Sequence, residues 1–148
     1  MNDDVSTMRA IEEIKTLKAR YFRYIYCKDW VALRDVFTTD LKADFRDSTS
    51  PRNEALLTDG ADLYIRNLAS ILDQIVTVHH GHMPEITLTS VNTATGIWSM
   101  EDKLWAPPGA FPWTHLHGYG HYHERYRNDA HGWRISRIRL SRLHVEVV

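Results

Sequence analysis

The chain has 148 residues, of which 43% are hydrophobic and 25% are charged, and its formal net charge is −1. This length fits a single domain over residues 1–148, and the hydrophobic content excludes a disordered chain. Lys and Arg residues are spread along the sequence rather than massed, so we expect no nucleic acid partner, because nucleic acid binding requires a basic face.

Cysteine content and hydropathy indicate where the protein works. Cys27 is the single cysteine, so no internal disulfide can form, which indicates a reducing compartment. No apolar run is long enough to span a membrane, and the N-terminal residues M-N-D-D are acidic, unlike a signal peptide. We therefore expect a cytoplasmic protein with no membrane partner.

The beginning of the chain predicts two helices. Apolar residues recur at steps of three and four from Met8 to Ile25, the pattern of an amphipathic helix, although Ser6 marks its start only loosely. A break follows, and Asp29 is expected to cap a second, short helix over residues 30–37.

A strand, a loop and a third helix complete the first half. The alternation in L-K-A-D-F-R-D predicts a strand over residues 41–47, and a polar segment containing Pro51 predicts a loop over residues 48–60. The third helix is predicted over residues 61–72. Its candidate core residues are Leu63, Ile65, Leu68 and Leu72.

The second half predicts an antiparallel meander. Its strands are expected over residues 75–88 with a bend between Gly81 and Pro84, 93–105, 115–127 and 133–147. Helices followed by a meander indicate an α+β fold, a cone-shaped α+β barrel in which the N-terminal helices pack on a strongly curved, mainly antiparallel sheet. Such a cone encloses a pocket at its open end, a natural place for a ligand.

The segment V-T-V-H-H-G-H-M-P-E, residues 76–85, holds three histidines within four positions. Histidine changes charge near neutral pH, and a histidine beside a carboxylate on a neighbouring strand can perform general acid–base catalysis. We expect His79 to be that histidine and Asp102, on the next strand, to be the carboxylate. His80 and His82 are better explained as surface residues.

The histidines also suggest a metal site, because pairs such as His79 with His82 or His121 with His123 have spacings that strands use for ligation. No cysteine or carboxylate spacing reinforces them. We therefore expect no metal.

Strand alternation assigns side chains to an inner and an outer face, because successive residues of a strand point to opposite sides. Trp98 and Met100 are large and apolar, so their face is the inner one. Asp102 shares that face, and a buried carboxylate needs a partner. The available cation is Arg142, which alternation places on one face of the last strand together with His144.

The same reasoning divides the strand over residues 115–127. Gly118 and Gly120 lie on the face of Tyr122, where they leave room for a ligand or a close-packed helix, or mark a bend in the sheet. The opposite face is too aromatic for an ordinary solvated surface, and such a patch is typical of an interface. Its residues are His117, Tyr119, His121 and His123.

Three segments carry a resemblance to a known family: K-A-R-Y-F-R, H-H-G-H-M-P-E-I and T-A-T-G-I-W-S-M-E-D-K-L. With the predicted element order, they resemble the SnoaL-like branch of the nuclear-transport-factor-2-like superfamily. Within it the chain is similar to the bacterial bile-acid dehydratases and, more distantly, to scytalone dehydratase. The resemblance extends from about residue 11 to residue 142 and specifies the fold more than the reaction, because the superfamily also holds isomerases, cyclases, epoxide hydrolases and non-catalytic binders.

The resemblance implies roles for five residues. Tyr21 takes the position of a tyrosine that lines the dehydratase pocket, and His79 that of the catalytic base. Asp102 matches the pocket aspartate of the bile-acid enzymes. Tyr122 falls where these enzymes place a polar pocket residue, and Arg142 lies near a functional arginine, with a loose alignment.

One position departs from the family pattern. The dehydratases carry an aspartate, paired with the histidine, one turn after the helix tyrosine, and here that position is Tyr26. Asp29 belongs to the K-D-W segment that starts the second helix and does not replace it. We therefore expect Asp102 or the Tyr26 hydroxyl to orient His79, or Tyr26 to donate a hydrogen bond to a substrate oxygen.

We expect a lyase, a dehydratase acting by general acid–base catalysis on a hydrophobic ring-containing molecule such as a steroid, polyketide or aromatic compound. Two alternatives stay open: an isomerase or carbon–carbon lyase on an aromatic substrate, and a non-catalytic binder of small molecules. No glycine-rich strand-to-helix turn is present, so no nucleotide or flavin cofactor is expected. The expected pocket lining is Phe22, Ile25, Trp98, Met100 and Tyr122.

The aromatic outer face and the resemblance together predict a homo-oligomer built on the sheet. The dehydratases imply a trimer, and a dimer is the alternative. Because three of the four residues on this face are histidines, we expect the assembly to loosen near pH 5–6.

Overall fold

Three helices pack on a six-stranded mixed sheet in the computed structural model, which describes residues 3–148. The helices are α1 (Asp4–Tyr26), α2 (Trp30–Arg34) and α3 (Ala61–Leu72). The strands are β1 (Phe37–Asp44), β2 (Leu57–Asp59), β3 (Val76–Leu88), β4 (Thr93–Trp105), β5 (His115–Asp129) and β6 (Gly132–Val147).

The strand order is β2-β1-β6-β5-β4-β3, so β2 and β3 are the two edges and the sheet is not closed. β1 runs parallel to β6, and the other neighbouring pairs are antiparallel. The α+β fold with a mainly antiparallel sheet is therefore confirmed, with the refinement that its barrel is open. No helix within the described residues is long and apolar enough to cross a membrane.

Helix α1 begins earlier than its apolar pattern. Its cap is Asp3, whose carboxylate accepts a hydrogen bond from the backbone N–H of Ser6 at 2.6 Å, so Ser6 is not the cap. Met8, the first residue of the predicted stripe, is 60% exposed. The stripe that faces the sheet consists of Ala10, Ile14, Leu17, Lys18, Tyr21, Phe22 and Ile25.

The predicted cap of α2 is confirmed, because the Asp29 carboxylate accepts from the Ala32 backbone N–H at 3.0 Å. The helix is shorter than predicted, since Phe37 is fully buried and begins β1 opposite Ile135 of β6. This long-range pairing also starts the strand four residues before the predicted one.

Helix α3 has its predicted bounds but presents a different face. Leu63 is 43% exposed, whereas Tyr64 is buried and packs edge-on against Phe37. The predicted core position of Leu63 is therefore wrong. The buried residues of this helix are Ala61, Tyr64, Ile65 and Leu72, and Leu68 is partly buried.

The meander agrees closely with the prediction. β4 has the predicted bounds, and β3 carries the expected irregularity between Gly81 and Pro84. An unpredicted bulge lies between β5 and β6, where Tyr119 pairs with His144 and Gly120 pairs with Arg142. The extra residue reverses the alternation, so the predicted shared face of Arg142 and His144 is wrong, and His144 stacks on Tyr119 at 6.2 Å.

Candidate functional site

His79 and Asp102 face each other across two neighbouring strands. They are direct partners in the pairing of β3 with β4 and are 8% and 3% exposed, so both side chains lie on the buried inner face. His79 Nε2 and Asp102 Oδ2 are 3.8 Å apart. This separation exceeds a direct hydrogen bond and requires only a small shift to form one.

Arg142 completes the group from β6. Its Nη1 and Nη2 donate to Asp102 Oδ1 and Oδ2 at 2.5 and 2.9 Å, a bidentate pair that agrees with the predicted pairing. Burial pushes the pKa of Asp102 upward, but the Arg142 guanidinium outweighs burial and holds that pKa below its usual range. Asp102 therefore stays a carboxylate beside the imidazole.

Gly118 makes space for this ion pair. It lies opposite Asp102 in β5, and a Cβ at this position would overlap Arg142 Nη1 and Asp102 Oδ1. Gly120 has a different role, because a Cβ there would overlap the Ser141 carbonyl at the bulge. One glycine thus leaves room in the site, and the other marks a bend.

Burial lowers the pKa of His79 to about 4, and the Asp102 carboxylate offsets this only in part. The positive charges of Arg142, Lys18 and Lys28 lower that pKa further. The imidazole is therefore neutral near pH 7. Since Asp102 lies beside Nε2, the favoured tautomer carries its proton there. Nδ1, which is buried and has no hydrogen-bond partner within residues 3–148, is then free to accept a proton.

Tyr26 lies against the His79 ring. The two rings are nearly parallel, with centroids 6.3 Å apart, and Phe22 stacks on Tyr26 with centroids 6.4 Å apart. Burial raises the pKa of the Tyr26 phenol, and a hydrogen bond with the His79 backbone opposes the rise. Tyr26 thus occupies the neighbourhood of the imidazole as well as the family position of the missing aspartate.

Tyr21 and Tyr122 join the site from another side. Their rings meet edge to face at 6.1 Å, and both are buried. Burial raises the pKa of Tyr122, and the charges of Asp102 and Arg142 both act on its phenol. Tyr122 is therefore close to the ion pair, whereas Tyr21 reaches the group through Tyr122.

The predicted apolar lining residues Phe22, Trp98 and Met100 are all buried. Met100 Sδ lies 4.0 Å from Arg142 Nη1. Phe22 and Trp98 border a groove of about 530 Å³ between α1 and the bend of β3. Phe22 stacks on Tyr26, and Tyr26 stacks on His79. The remaining wall residues are Lys15, Ala19, Gly81, His82, Met83 and Pro84. His79 and Asp102 are not among the wall residues of this groove and lie buried in the interior beside it.

Sequence reasoning missed a buried ion pair beneath these tyrosines. Lys18 donates to Glu124, and neither side chain is exposed to solvent. Glu124 also accepts from the hydroxyl of Tyr126, which in turn accepts from Trp98 Nε1 at 2.8 Å. The sequence did indicate two buried charges, because Lys18 lies within the apolar stripe of α1 and Glu124 alternates with the inward-facing Tyr122 and Tyr126.

The remaining histidines lie away from this group. His82 and His117 both contact Glu101, at 3.2 and 3.3 Å, and His117 stacks on Tyr119 at 4.4 Å. Within the described part of the chain, no three His, Cys, Asp or Glu side chains are grouped so that they could hold a metal ion. His117 and Tyr119 belong to the outer face of the sheet, and His82 lies at the bend of β3, beside the groove.

The chain is similar in sequence to a known family and in fold to several solved structures. The sequence model of the SnoaL-like domain family matches residues 6–139. Similar solved structures include a Kribbella flavida protein (TM-score 0.83, 24% identity, 95% of both chains) and a candidate scytalone dehydratase from Novosphingobium aromaticivorans (TM-score 0.83, 16% identity, 99% of this chain and 92% of that one). A hexachlorocyclohexane dehydrochlorinase from Novosphingobium barchaimii is also similar (TM-score 0.82, 11% identity, 99% and 94%). At these identities the likeness shows the fold alone, which is the nuclear transport factor 2-like fold.

Proposed function

The chain belongs to the SnoaL-like domain family, and we propose that it is a cofactor-free lyase, a dehydratase that acts on a hydrophobic ring-containing molecule. The observation that carries this proposal is the buried contact of a neutral imidazole, His79, with a carboxylate that Arg142 keeps ionised. A neutral imidazole accepts a proton, and a fixed anion beside it stabilises the cation that forms.

His79 is the base. A substrate that enters from the groove must displace the rings of Phe22 and Tyr26 to reach the buried imidazole. His79 Nδ1 then takes a proton from a substrate carbon that is activated by a neighbouring carbonyl or conjugated ring. The electrons of that C–H bond form the new double bond, and the leaving hydroxyl departs with its own bonding electrons. The imidazolium gives the proton that it took from carbon to the departing hydroxyl, which leaves as water, and His79 is neutral again.

Asp102 and Arg142 prepare the base. The carboxylate keeps the proton of neutral His79 on Nε2 and stabilises the imidazolium once Nδ1 has been protonated. Arg142 holds the carboxylate through two charge-assisted hydrogen bonds, which fixes its direction and prevents its protonation.

The phenols are the hydrogen-bond donors of the proposed reaction. Tyr26 lies against His79, and Tyr21 and Tyr122 lie beside the ion pair. A phenol whose pKa is raised by burial stays protonated and donates to an oxygen that gains negative charge as the proton leaves. The apolar side chains of Phe22, Trp98 and Met100 suit the ring system of the substrate.

The names of two similar structures support elimination chemistry. One is a candidate scytalone dehydratase and the other a hexachlorocyclohexane dehydrochlorinase, and both names denote the loss of a small molecule from a ring compound. Neither name identifies the leaving group or ring system for this chain, so the substrate class proposed above depends on the buried side chains.

The experiment is a screen of cyclic β-hydroxy ketones for the ultraviolet absorbance of the conjugated product. We expect turnover by the wild-type protein and a loss of about 10²–10⁴-fold in His79→Ala, the contribution of a general base. His80→Ala is the matched control, because His80 is the adjacent histidine and its side chain is exposed, so its loss should leave turnover unchanged. Tight binding of these compounds without product in any variant would instead indicate a non-catalytic binder.

A further inference from the structure

A lysine and a glutamate form an ion pair in the interior that the proposed reaction does not use. Lys18 comes from α1 and Glu124 from β5, and both side chains are fully buried. Glu124 is further held by the Tyr126 hydroxyl. The pair therefore has a fixed geometry.

Stability alone does not explain this pair. Removing two charges from water carries a large desolvation cost, and well-packed apolar residues of similar volume are often as stable or more so. Burial lowers the pKa of Lys18, and the Glu124 carboxylate, which favours the charged ammonium, offsets this only in part. Because burying this charge costs free energy, we looked for its role in the groups that surround it.

Those groups are two phenols of the candidate site. Lys18 Nζ lies 3.9 Å from the centroid of the Tyr21 ring and 3.7 Å from that of Tyr122. Both distances are well within the range of cation–π attraction, which is strongest when the ammonium is desolvated. The ammonium is thus held between two aromatic faces and a carboxylate.

We propose that Lys18 is a positioning residue of the elimination site. Glu124 holds the ammonium, and the ammonium fixes the rings of Tyr21 and Tyr122 beside the Asp102–Arg142 pair. Its positive charge also favours the neutral form of His79. The expected effect of Lys18 on turnover rests on the proposed function. Its effects on the tyrosine rings and on the pKa of His79 do not depend on the substrate.

Two observations connect Lys18 to the reacting groups. Tyr122 is buried two residues after Gly120, the pairing partner of Arg142, so the ring held by Lys18 lies on the part of β5 that borders the ion pair. Lys18 is also among the charges that lower the pKa of His79. A positioning role therefore acts on both the donors and the base.

The test uses the double variant Lys18→Met/Glu124→Gln, which removes both charges with little change in volume and leaves an oxygen to accept from Tyr126. Tyr126→Phe alone is the matched control, because it removes a buried hydrogen bond to Glu124 but leaves both charges of the pair in place. Lys18→Met alone is less informative, since it leaves a buried carboxylate without its partner.

We expect the double variant to fold with a melting temperature within a few degrees of wild type and to lose about 10²-fold in kcat, the effect of a misplaced catalytic group, with KM little changed. NMR titration should show the pKa of His79 moving upward, and the ring flips of Tyr122 should accelerate. Tyr126→Phe should stay closer to wild type in all three measurements, because Lys18 and Glu124 remain paired.

A folded double variant with wild-type kcat, an unmoved His79 titration and unchanged ring flips would overturn the inference. If the wild-type protein turns over none of the screened compounds, the proposed function fails, and the two NMR measurements still decide the role of Lys18. Faster ring flips with a shifted His79 titration support it, and the absence of both contradicts it.

Discussion

His79 makes the stability of the protein depend on pH. Its pKa in the folded protein is about 4, against 6.5 for an unperturbed histidine. Between these values the unfolded chain binds the additional proton, so the free energy of unfolding falls as the pH falls from 6.5 toward 4. The shift corresponds to about 3 kcal/mol over that interval.

The measurement is urea unfolding between pH 7 and pH 4.5 for wild type and His79→Gln. We expect the wild type to lose stability more steeply, because glutamine binds no proton in this range. The acidic residues contribute equally to both proteins and cancel in the comparison. Equal slopes would mean that the imidazole is not buried in its neutral form.

The catalytic and structural roles of Tyr26 can be distinguished by removing its hydroxyl oxygen. We expect Tyr26→Phe to keep the stack on His79 and the melting temperature, and to lose about 10²-fold in turnover if its hydroxyl donates to the substrate. Since the hydroxyl also meets the His79 backbone, the alternative is a modest loss of stability with turnover intact. Measuring both quantities distinguishes the two roles.

Alternation along the strands was sufficient to predict that Asp102 lies on the inner face with Trp98 and Met100 and that Arg142 is its partner. It failed for His144, because the bulge opposite Tyr119 cannot be read from one strand alone. It also left Lys18 unassigned, since a lysine on an apolar helix face becomes interpretable only with its partner, which lies 106 residues away in the sequence.

Strand β5 contributes Gly118 to the site, where the lack of a side chain leaves room for the Asp102–Arg142 pair. We expect Gly118→Ala to separate Arg142 from Asp102, because the new Cβ would overlap both side chains. Turnover should fall by about 10²-fold, as for other displaced catalytic groups, and the melting temperature should fall by several degrees.

The control for this variant is Ser99→Ala on the exposed face of β4, which changes a strand residue of similar size without touching the ion pair. It should match wild type in both measurements. A crystal structure of Gly118→Ala with the Arg142–Asp102 contacts unchanged would show that the glycine does not protect this pair.

Local patterns predicted the elements well where the partners are close in sequence. The bounds of α3 and β4 agree with the prediction, because helix periodicity and strand alternation are local properties. The start of β1 was missed, because Phe37 is held by parallel pairing with β6, about a hundred residues later. The cap of α1 was missed, because apolar periodicity does not report where a polar cap lies.

The outer face of the sheet makes a prediction for the assembled protein. His117 stacks on Tyr119, and Tyr119 stacks on His144, which gives a continuous aromatic patch on that face. We expect a homo-oligomer, a trimer or a dimer, when light scattering is measured at micromolar concentration. Tyr119→Arg should shift the mass toward the monomer, and Asn67→Arg, at an exposed position of α3 outside this sheet face, tests whether any added charge has that effect. A monomeric wild-type protein would contradict the prediction.

The central claim is that His79 removes a proton from carbon, and proton exchange tests it without waiting for the natural substrate. Cyclic ketones incubated with the protein in deuterated water can be followed by NMR for deuterium entering the α-carbon. We predict that the wild type and His80→Ala accelerate this exchange and that His79→Ala loses at least about 10²-fold of the acceleration. Equal exchange by His79→Ala and wild type would contradict the account, since the proton would then be taken by another group.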